Sequence, residues 1–522
     1  MFSRWSRYYH TLKFLKWRQV KYQLWYRLAP PNTKPDQKAK SLSGQWDLQL
    51  ADSIPSYISW LDNYRFKFLN IEHDFKNKID WNYNAYGKLW TYNLTYFEFL
   101  SQPDLPKEKG LELIHDFIGQ QSIIKDGVEP FPISLRIIFW IKFLLKHTIQ
   151  DPKIDQSLYG QLQMLYKKPE YHLLGNHLLE NGFALLFGGL YFTDKKVLKL
   201  GSAILEEQLN EQILSDGGHF ELSPMYHQLM LCRMLDCINL LKNNPENSLD
   251  NLMELLTEKV ALMLGWMTQI TFSNGDMPLV NDSANEVAPS AKTLTTYAAR
   301  LEIFPKIKPL KTSGYRKIKM SSYELLMDVG NIGPDYIPGH SHSDTFNFIL
   351  YHKGQPIVVD TGISTYEKNG RRKEERSTSA HNTLVIRYLN QSEVWGGFRV
   401  ARRAKITQLK ELDGQITATH DGYRRINCEH RRTFTYREQY LEIKDIVTGQ
   451  HGGTAFLHFH PTVFPQLKDQ QITGKFGVID FENADKIQLI PYQLATGFNQ
   501  TNEGLKAVIS FKDHLHTIIK LT

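Results

Sequence analysis

Cysteine is scarce in this chain. Its 522 residues include three cysteines, Cys232, Cys237 and Cys428, and no pair has the CxxC spacing of redox or zinc motifs. Small secreted proteins that depend on disulfides use cysteine far more densely. We therefore expect reduced thiols and no disulfide framework, as in a cytosol-like compartment.

Long apolar runs are also missing. The most apolar stretch, 135–145 (LRIIFWIKFLL), is interrupted by Arg136 and Lys142 and is shorter than the roughly 18 residues expected of a membrane span. Residues 1–28 (MFSRWSRYYHTLKFLKWRQVKYQLWYRL) are basic and aromatic, and they lack the apolar core and cleavage site of an export signal. These features predict a protein that is cytoplasmic or peripheral to the inner membrane, with the periplasm as the alternative.

A strong charge of either sign is absent as well. The 62 Lys and Arg side chains against 55 Asp and Glu give a net charge of +7, which is mild for this length. It favours an anionic partner slightly and is too small for a nucleic-acid-binding protein. With 42% apolar and 22% charged residues, the chain has the composition of a globular protein of two or three domains.

The basic aromatic arm, which we place at residues 1–45, has two interpretations. Its Lys, Arg, Trp and Tyr residues suit an amphipathic helix on an anionic membrane surface. The same pattern also fits a helix docked on the body of the protein. The sequence leaves both open, so peripheral membrane contact through this arm is an expectation.

Hydrophobic periodicity changes near residue 310. Before that point apolar residues recur at three- and four-residue spacing, and turns rich in Gly, Pro, Asn and Asp separate the segments. Successive helices with short connections are typical of an α/α hairpin array, either bundled or closed into a toroid. The clearest helical segments are 171–192, 195–213, 225–241 and 249–270.

After about residue 315 apolar and polar residues alternate with period two. Residues 347–351 and 356–360 flank a Lys353–Gly354 turn and predict a hairpin. Many short strands separated by turns indicate an antiparallel sandwich. The further strand segments are 383–387, 404–409, 415–420, 432–436, 440–447 and 454–460.

These patterns together predict a multidomain α+β protein. An N-terminal (α/α) toroid at 46–310 is followed by a C-terminal antiparallel β-sandwich at 311–522. The boundary falls best within 308–319, which is basic and poor in large apolar residues.

The helical half contains the sequence LGNHLLEN, in which Asn176, His177 and Glu180 can share one helix face. The Asn176 amide can bind a carboxylate or carbonyl group. Glu180 can orient His177 and raise the basicity of its ring. The alternative is an Asn or His cap at the start of a buried helix.

A second helical motif is DGGHFELSPMYH, in which Ser223 and Pro224 start a helix that opens with Tyr226. A tyrosine can act as a general base where positive neighbours lower its pKa, and can then return the proton as an acid. The alternative is that Tyr226 serves only in packing.

The densest polar stretch is Gly339-His340-Ser341-His342-Ser343-Asp344, within strand-like sequence. Because side chains alternate across a strand, His340, His342 and Asp344 would share one face. Burying two imidazoles and a carboxylate is costly unless they bind a metal or do chemistry. The alternative is an exposed polar strand edge.

Two later fragments supply further candidate ligands. His342, with Asp360 in VVDTG and His381 in AHNT, makes a two-histidine, one-carboxylate candidate zinc site. Asp344 is a competing carboxylate, and sequence spacing does not choose between it and Asp360.

Six segments between residues 90 and 460 resemble the heparinase II/III-type polysaccharide lyase superfamily, which includes alginate and oligo-alginate lyases. In order they are NHLLEN, DGGHFELSPMYH, GHSHSDTFNF, VVDTG, RSTSAHNTLVI and NQSEVWGGFR. The resemblance implies the toroid and sandwich that periodicity predicts independently. Secreted members begin with an export signal, and this chain is more similar to members encoded with bacterial capsule or exopolysaccharide machinery.

The resemblance also implies roles for single residues. It implies that Asn176 and His177 engage the carboxylate of a uronic acid, that Tyr226 is the base and acid, and that His340 is its catalytic partner. Glu180 falls where members carry a supporting acid.

For the metal, the resemblance implies a structural Zn²⁺ held by His342, Asp360 and His381, which favours Asp360 over Asp344. Arg376, with Arg371 and Arg372 nearby, could grip sulfate or carboxylate groups of a substrate, although such arginines also form surface ion pairs.

The implied reaction is β-elimination of a uronate-containing anionic polysaccharide. One alternative is a metal-dependent glycan hydrolase or deacetylase, since a His/His/Asp site can also activate water. Another is a non-catalytic glycan-binding assembly protein that keeps the site only to capture polymer.

Overall fold

The computed structural model describes residues 2–28, 44–247, 249–449 and 451–522. The helices are α1 (Phe2–Leu12), α2 (Trp17–Leu28), α3 (Lys88–Tyr96), α4 (Lys107–Gln120), α5 (Pro130–Lys146), α6 (Pro152–Lys167), α7 (Gly175–Tyr191), α8 (Lys195–Gln212), α9 (Pro224–Lys242), α10 (Asp250–Ile270), α11 (Ala291–Arg300) and α12 (Gly370–Glu375). The strands are β1 (Trp60–Asp62), β2 (Arg65–Phe68), β3 (Ile71–Asp74), β4 (Tyr315–Lys319), β5 (Tyr323–Asp328), β6 (Phe348–His352), β7 (Gln355–Val358), β8 (Leu384–Ile386), β9 (Val394–Trp395), β10 (Arg399–Val400), β11 (Ile406–Leu412), β12 (Gln415–His420), β13 (His430–Arg437), β14 (Tyr440–Val447), β15 (Gly453–His458), β16 (Gln466–Lys468), β17 (Gln471–Gly474), β18 (Gly477–Gly497) and β19 (Gln500–Leu521).

The predicted change from helix to strand is confirmed. Helix α11 ends at Arg300 and the first strand of the C-terminal half begins at Tyr315, so a helical toroid precedes a β-sandwich. The domain limits 46–310 and 311–522 stay a prediction.

Helix α7 is buried on nearly all sides, as expected for a helix that is apolar around most of its circumference. Two glycines let it approach α8 closely. A Cβ at Gly189 would lie 2.8 Å from the Leu198 backbone nitrogen, and one at Gly201 would lie 2.9 Å from that of Leu186. The contact fixes the position of α7, whose first turns carry Asn176 and Glu180.

Two antiparallel sheets form the sandwich. One has the order β4-β5-β6-β7, and the other runs β11-β12-β13-β14-β19-β18-β17-β16, with β15 joining β19 to β8. Apolar side chains of both sheets, among them Leu325, Phe348, Phe434 and Ile509, pack into a shared core. The predicted hairpin is confirmed as β6 and β7, and both turn residues, Lys353 and Gly354, have positive φ.

Three features depart from the sequence expectations. The small sheet β1-β2-β3 precedes the toroid helices, and the long β18–β19 hairpin follows the last strand that was predicted. Residues 340–344 form an irregular loop before β6 instead of a strand. The alternation argument for His340, His342 and Asp344 was therefore wrong, because no neighbouring strand pairs with this loop.

The N-terminal arm is described at 2–28 and 44–45, while residues 1 and 29–43 of the predicted arm lie outside the described residues. Helix α1 contacts the sandwich, where Arg7 Nε donates to Glu393 at 2.9 Å. Helix α2 contacts the toroid, where Tyr26 donates to the Pro169 carbonyl at 2.6 Å. Across the described residues, every helix is too short or too polar to cross a bilayer.

We expect Gly189→Ala to destabilise the protein although alanine favours helix. The added methyl group would meet the Leu198 backbone, which cannot move aside as a flexible side chain would. Overpacking of this kind costs about 1–3 kcal/mol, which should outweigh a propensity gain of roughly 1 kcal/mol.

Gly119→Ala in α4 is the matched control, because a Cβ there meets nothing within 4 Å. It should raise the free energy of unfolding by about 0.5–1 kcal/mol. Urea denaturation measures both variants, and a Gly189→Ala protein as stable as the parent would contradict the close-contact argument.

Candidate active site

Helix α7 begins with a backbone that fixes Asn176. Leu174 and Gly175 have φ angles of 64° and 59°, and a Cβ at Gly175 would lie 3.1 Å from Glu221 Oε1. The Asn176 backbone nitrogen donates to the same oxygen at 3.4 Å. The Asn176 side chain does not cap the helix, and its buried Oδ1 has no hydrogen-bond partner. That orphaned amide oxygen marks a position where a ligand can bind.

His177 pairs with Glu170 and not, as expected, with Glu180. Its Nδ1 lies 3.2 Å from Glu170 Oε1, and its half-buried ring packs on Phe131 with centroids 4.6 Å apart. Burial alone would lower the pKa of His177, but the Glu170 carboxylate more than offsets this and raises it. His177 does not line the cavity described below, so its predicted contact with substrate stays a prediction.

Glu180 points toward α9, which explains the failed pairing with His177. Its Oε1 lies 3.4 Å from Arg233 Nε. Burial raises the pKa of Glu180 to about 7, although the Arg233 guanidinium opposes the shift. Glu180 therefore carries a carboxyl group that can hold or release a proton near neutral pH.

Tyr226 stands in the first turn of α9, held by the Ser223 cap. Ser223 Oγ accepts from the Tyr226 backbone nitrogen at 3.3 Å and donates to the Asp282 carbonyl at 2.8 Å. The Tyr226 hydroxyl lies 3.2 Å from that of Tyr366. Burial raises the pKa of Tyr226, and the Tyr366 hydrogen bond opposes this only in part. Burial outweighs the lowering effect of Arg372, the positive neighbour, so the pKa of Tyr226 is raised and the phenol is protonated at neutral pH.

The Tyr226 ring contacts the His340 ring across the junction of the two halves. Their centroids are 3.9 Å apart at an interplanar angle of 32°. His340 Nδ1 donates to Asp282 Oδ2 at 2.9 Å. Because a carboxylate can only accept, this bond fixes the ring so that Nε2 faces away, 3.9 Å from Glu221 Oε2.

Asp282 is the buried anion around which this region is built. Its carboxylate is fully buried and also accepts from His342 Nε2 at 2.9 Å and from both terminal nitrogens of Arg372. Burial alone would raise the pKa of Asp282, but the Arg372 guanidinium and the two imidazoles hold it well below its usual range. Asp282 is therefore ionised and orients both histidines.

The predicted zinc ligands lie close together and have the right donor chemistry. His381 Nδ1 lies 2.8 Å from Asp360 Oδ2, and the His342 and His381 ring centroids are 5.3 Å apart. His342 Nδ1, His381 Nε2 and Asp344 Oδ2 are buried without partners. Neutral imidazoles oriented by carboxylates are typical of zinc sites.

A closed metal cage is not formed, however. Within the part of the chain that the structure describes, no group of three or more His, Cys, Asp or Glu side chains is arranged to hold a metal ion. Asp360 already accepts from Asn347 Nδ2 at 2.6 Å and from the Gly362 backbone at 3.0 Å. The zinc assignment therefore stays a prediction.

Arg376 is buried and its guanidinium donates to backbone carbonyl groups. Its Nη2 lies 2.9 Å from the Ser341 carbonyl, and its Nη1 lies 2.6 Å from that of Gly397. Arg376 does not line the cavity. Its predicted role in substrate binding stays a prediction, and the contacts seen are those of a residue that positions the His340 loop.

A cavity of about 480 Å³ lies between the toroid and the sandwich. This volume is in the range of small-molecule and cofactor sites. Its lining joins polar groups of α7 and α9 to residues of the sandwich, among them Asn176, Glu180, Tyr226, Arg233, Tyr366 and Phe498. The structure thus brings Asn176, Glu180 and Tyr226 to one space, with His340 stacked behind Tyr226.

Several residues of this site were missed from the sequence. Glu221 lies within the motif DGGHFELSPMYH but was given no role, while Asp282, Tyr366, Glu170 and Arg233 contact other site residues from positions outside the quoted motifs. Asp282 lies 58 residues before His340. Only its place in an Asn-Asp-Ser turn after Val280 marks it as a polar group following an apolar segment.

Comparisons with known proteins bear on the family and the fold. Residues 134–312 match the family profile described as Heparinase II/III N-terminus, and residues 271–510 match that described as Heparinase II/III-like, C-terminal. A heparin-sulfate lyase of Bacteroides stercoris is 25% identical over 359 residues, covering 60% of this chain and 50% of the relative. A heparin-sulfate lyase of Pedobacter heparinus is 24% identical over 453 residues, covering 77% of this chain and 64% of the relative. The chain spans about half the length of the Bacteroides relatives it matches.

Solved structures show the same fold. A crystal structure of heparinase III superposes with a TM-score of 0.68 at 17% identity, covering 85% of this chain and 80% of that one. A second structure, a heparinase III gene product, superposes with a TM-score of 0.61 at 16% identity, covering 86% of this chain and 82% of that one. At these identities the likeness concerns the fold alone.

We expect Asp282→Asn to destabilise the protein by about 3–5 kcal/mol, because it leaves the Arg372 guanidinium buried without a counter-charge. Asp335→Asn is the matched control, since Asp335 also pairs with a buried arginine, Arg403 at 3.0 Å, but its own side chain is 63% exposed. Its loss should cost less than about 1 kcal/mol. Urea denaturation compares the two variants, and equal losses would contradict the central role given to Asp282.

Proposed function

Because the chain belongs to the heparinase II/III family, we propose that it is a polysaccharide lyase that cleaves a uronate-containing anionic polysaccharide by β-elimination. The observation that carries the proposal is the contact of the Tyr226 phenol with the His340 imidazole at the wall of the interdomain cavity. Tyr226 comes from the toroid and lines the cavity, while His340 comes from the sandwich and packs against the Tyr226 ring from behind, so we place the reacting sugar ring at Tyr226, next to His340.

The two groups suit complementary proton transfers. His340 donates through Nδ1 to Asp282, so in its neutral form the lone pair lies on Nε2, where it can act as a base. Burial keeps Tyr226 protonated, which suits a general acid. In the proposed step His340 Nε2 takes the C5 proton, the C4–O4 bond breaks, Tyr226 protonates the departing O4, and a C4–C5 double bond forms.

Removal of the C5 proton requires relief of the charge on the neighbouring carboxylate. The Asn176 side-chain amide lines the cavity and can donate to the dianionic intermediate. The loss of one preorganised donor of this kind costs about 3–4 kcal/mol. Glu180, with a pKa of about 7, supports this role when it is protonated, because a neutral carboxyl group does not repel the substrate.

The proposal extends to the source of the polymer. That the relatives above are named heparin-sulfate lyases supports an anionic polysaccharide as the substrate class, and the proposed elimination requires that this polysaccharide contain a uronate. The resemblance to members encoded with capsule or exopolysaccharide machinery supports a bacterial exopolysaccharide as the polymer, handled in the cytoplasm or at the inner membrane.

We also propose that His342, Asp360 and His381 bind a structural zinc ion. The support is their donor chemistry and the unpartnered buried nitrogens of both histidines. When bound, the metal would tie the His340 loop to the end of β7. The proton transfers above do not involve it.

We expect Tyr226→Phe and His340→Gln each to lower the rate of product formation by a factor of about 10²–10⁴, the usual contribution of a general acid or base. Absorbance of the unsaturated product in the near ultraviolet, followed over a panel of uronic-acid polymers, measures this. Tyr388→Phe is the control, since that side chain is 97% exposed and does not line the cavity.

Two results would contradict the lyase proposal. Full activity in either site variant would remove the assigned pair. Products whose masses include one added water, without new absorbance, would indicate hydrolysis instead, because elimination adds no water.

For the zinc ion, we expect His381→Gln to lose the metal and to melt at a lower temperature, since ligation energy is also folding energy. His458→Gln is the matched control, because His458 is likewise fully buried and its Nε2 has no partner. Elemental analysis should find zinc in the parent and the control only. One zinc per chain in His381→Gln would refute the assignment.

A further inference from the structure

Helices α1 and α2 each have a face that contacts the protein body. On α1, Tyr8 packs edge-on against Trp395 with centroids 5.1 Å apart, and Thr11 Oγ1 accepts from the Trp395 indole at 3.2 Å. On α2, Gln19 donates to the Leu173 carbonyl at 3.1 Å. These contacts fix which sides of the two helices face outward.

The outward faces carry large apolar side chains at helical spacing. On α1 these are Trp5, Tyr9 and Leu12, and on α2 they are Trp17, Leu24, Trp25 and Leu28. Trp5 is 73% exposed, Trp17 75% and Leu28 83%. Isolated exposed apolar residues are ordinary, but such a row on each of two helices that follow each other along the chain indicates a binding surface.

The same segment carries charge of one sign only. Residues 2–28 contain seven Lys and Arg residues and no Asp or Glu. Three of the basic residues pair with the body, Arg7 with Glu393, Lys16 with Glu211 and Arg18 with Glu207. The others, Arg4, Lys13, Lys21 and Arg27, are exposed beside the apolar row.

We propose that this outward face of α1 and α2 seats the protein on an anionic lipid surface. Trp and Leu side chains enter the boundary between headgroups and acyl chains, while Lys and Arg meet the negative headgroups. Apolar side chains and basic side chains occur together on these helices, and an anionic membrane interface offers contacts to both.

Two other occupants fit the surface less well. A hydrated polyanion such as the proposed substrate would meet the basic groups, but it gains nothing from exposed leucines. A second copy of the chain would place two positively charged faces against each other, which is unfavourable.

The test is co-sedimentation of the full chain with vesicles of phosphatidylcholine alone or mixed with phosphatidylglycerol. We expect binding to the anionic vesicles that weakens with added salt. Lys21→Glu with Arg27→Glu should weaken it more than about tenfold, since each basic residue near the surface is worth about fivefold. Trp17→Ser with Trp25→Ser should weaken it to a similar degree.

A matched control is Tyr388→Ser with Phe464→Ser, which removes exposed aromatic side chains from the sandwich and should bind vesicles as the parent does. All variants should keep the parent's thermal midpoint, because the substituted side chains are exposed.

Failure of the parent to bind anionic vesicles would overturn the proposal, as would unchanged binding in both arm variants. It would also fall if the arm variants lost retention on an anionic polysaccharide, or lost self-association, while vesicle binding persisted. These outcomes are separate from lyase activity, which the arm variants should retain on soluble oligosaccharides.

Discussion

The Asp282 carboxylate is the interaction on which the site depends. It comes from the segment after α10 and binds two histidines of the sandwich loop and Arg372 of α12. Removing a carboxylate from water is costly unless opposite charge and hydrogen bonds surround it. Both conditions are met here, so the anion ties the toroid side of the cavity to the sandwich side. Asp282 supports both rings of the Tyr226–His340 contact. Its carboxylate accepts from His340, and its backbone carbonyl accepts from Ser223, which caps the helix that carries Tyr226.

The loop at 340–344 shows why such an anchor is needed. A strand would be fixed by its ladder of backbone hydrogen bonds, but this loop has none of its own. Its backbone is held by single bonds to other segments: the Asp282 nitrogen donates to the His340 carbonyl at 3.1 Å, Asn281 Oδ1 accepts from the His342 nitrogen at 2.9 Å, and Arg376 donates to the Ser341 carbonyl. Substitution of these buried polar groups therefore alters the geometry of His340 even where the substituted residue never meets substrate.

Sequence patterns predicted the parts of this protein that depend on local periodicity. The toroid helices and the β6–β7 hairpin have such signals, and the fold and the family are confirmed. The patterns failed where long-range contacts decide. Residues 340–344 look like a strand but have no partner, and Arg372 meets Asp282 across 90 residues of sequence, a distance at which spacing carries no information.

The N-terminal arm connects the surface of the protein to the same site. Gln19 of helix α2 donates to the Leu173 carbonyl. Leu173 is close in sequence to Glu170, which pairs with His177. Helix α1 holds Trp395, and the turn between β9 and β10 places Phe398 against His340 with centroids 6.1 Å apart. One basic segment thus braces a motif-bearing stretch on each side of the cavity. Because its inner face makes these contacts and its outer face is apolar and positively charged, a surface that binds the outer face would also orient these two stretches. A membrane-bound protein would meet its polymer in a fixed direction.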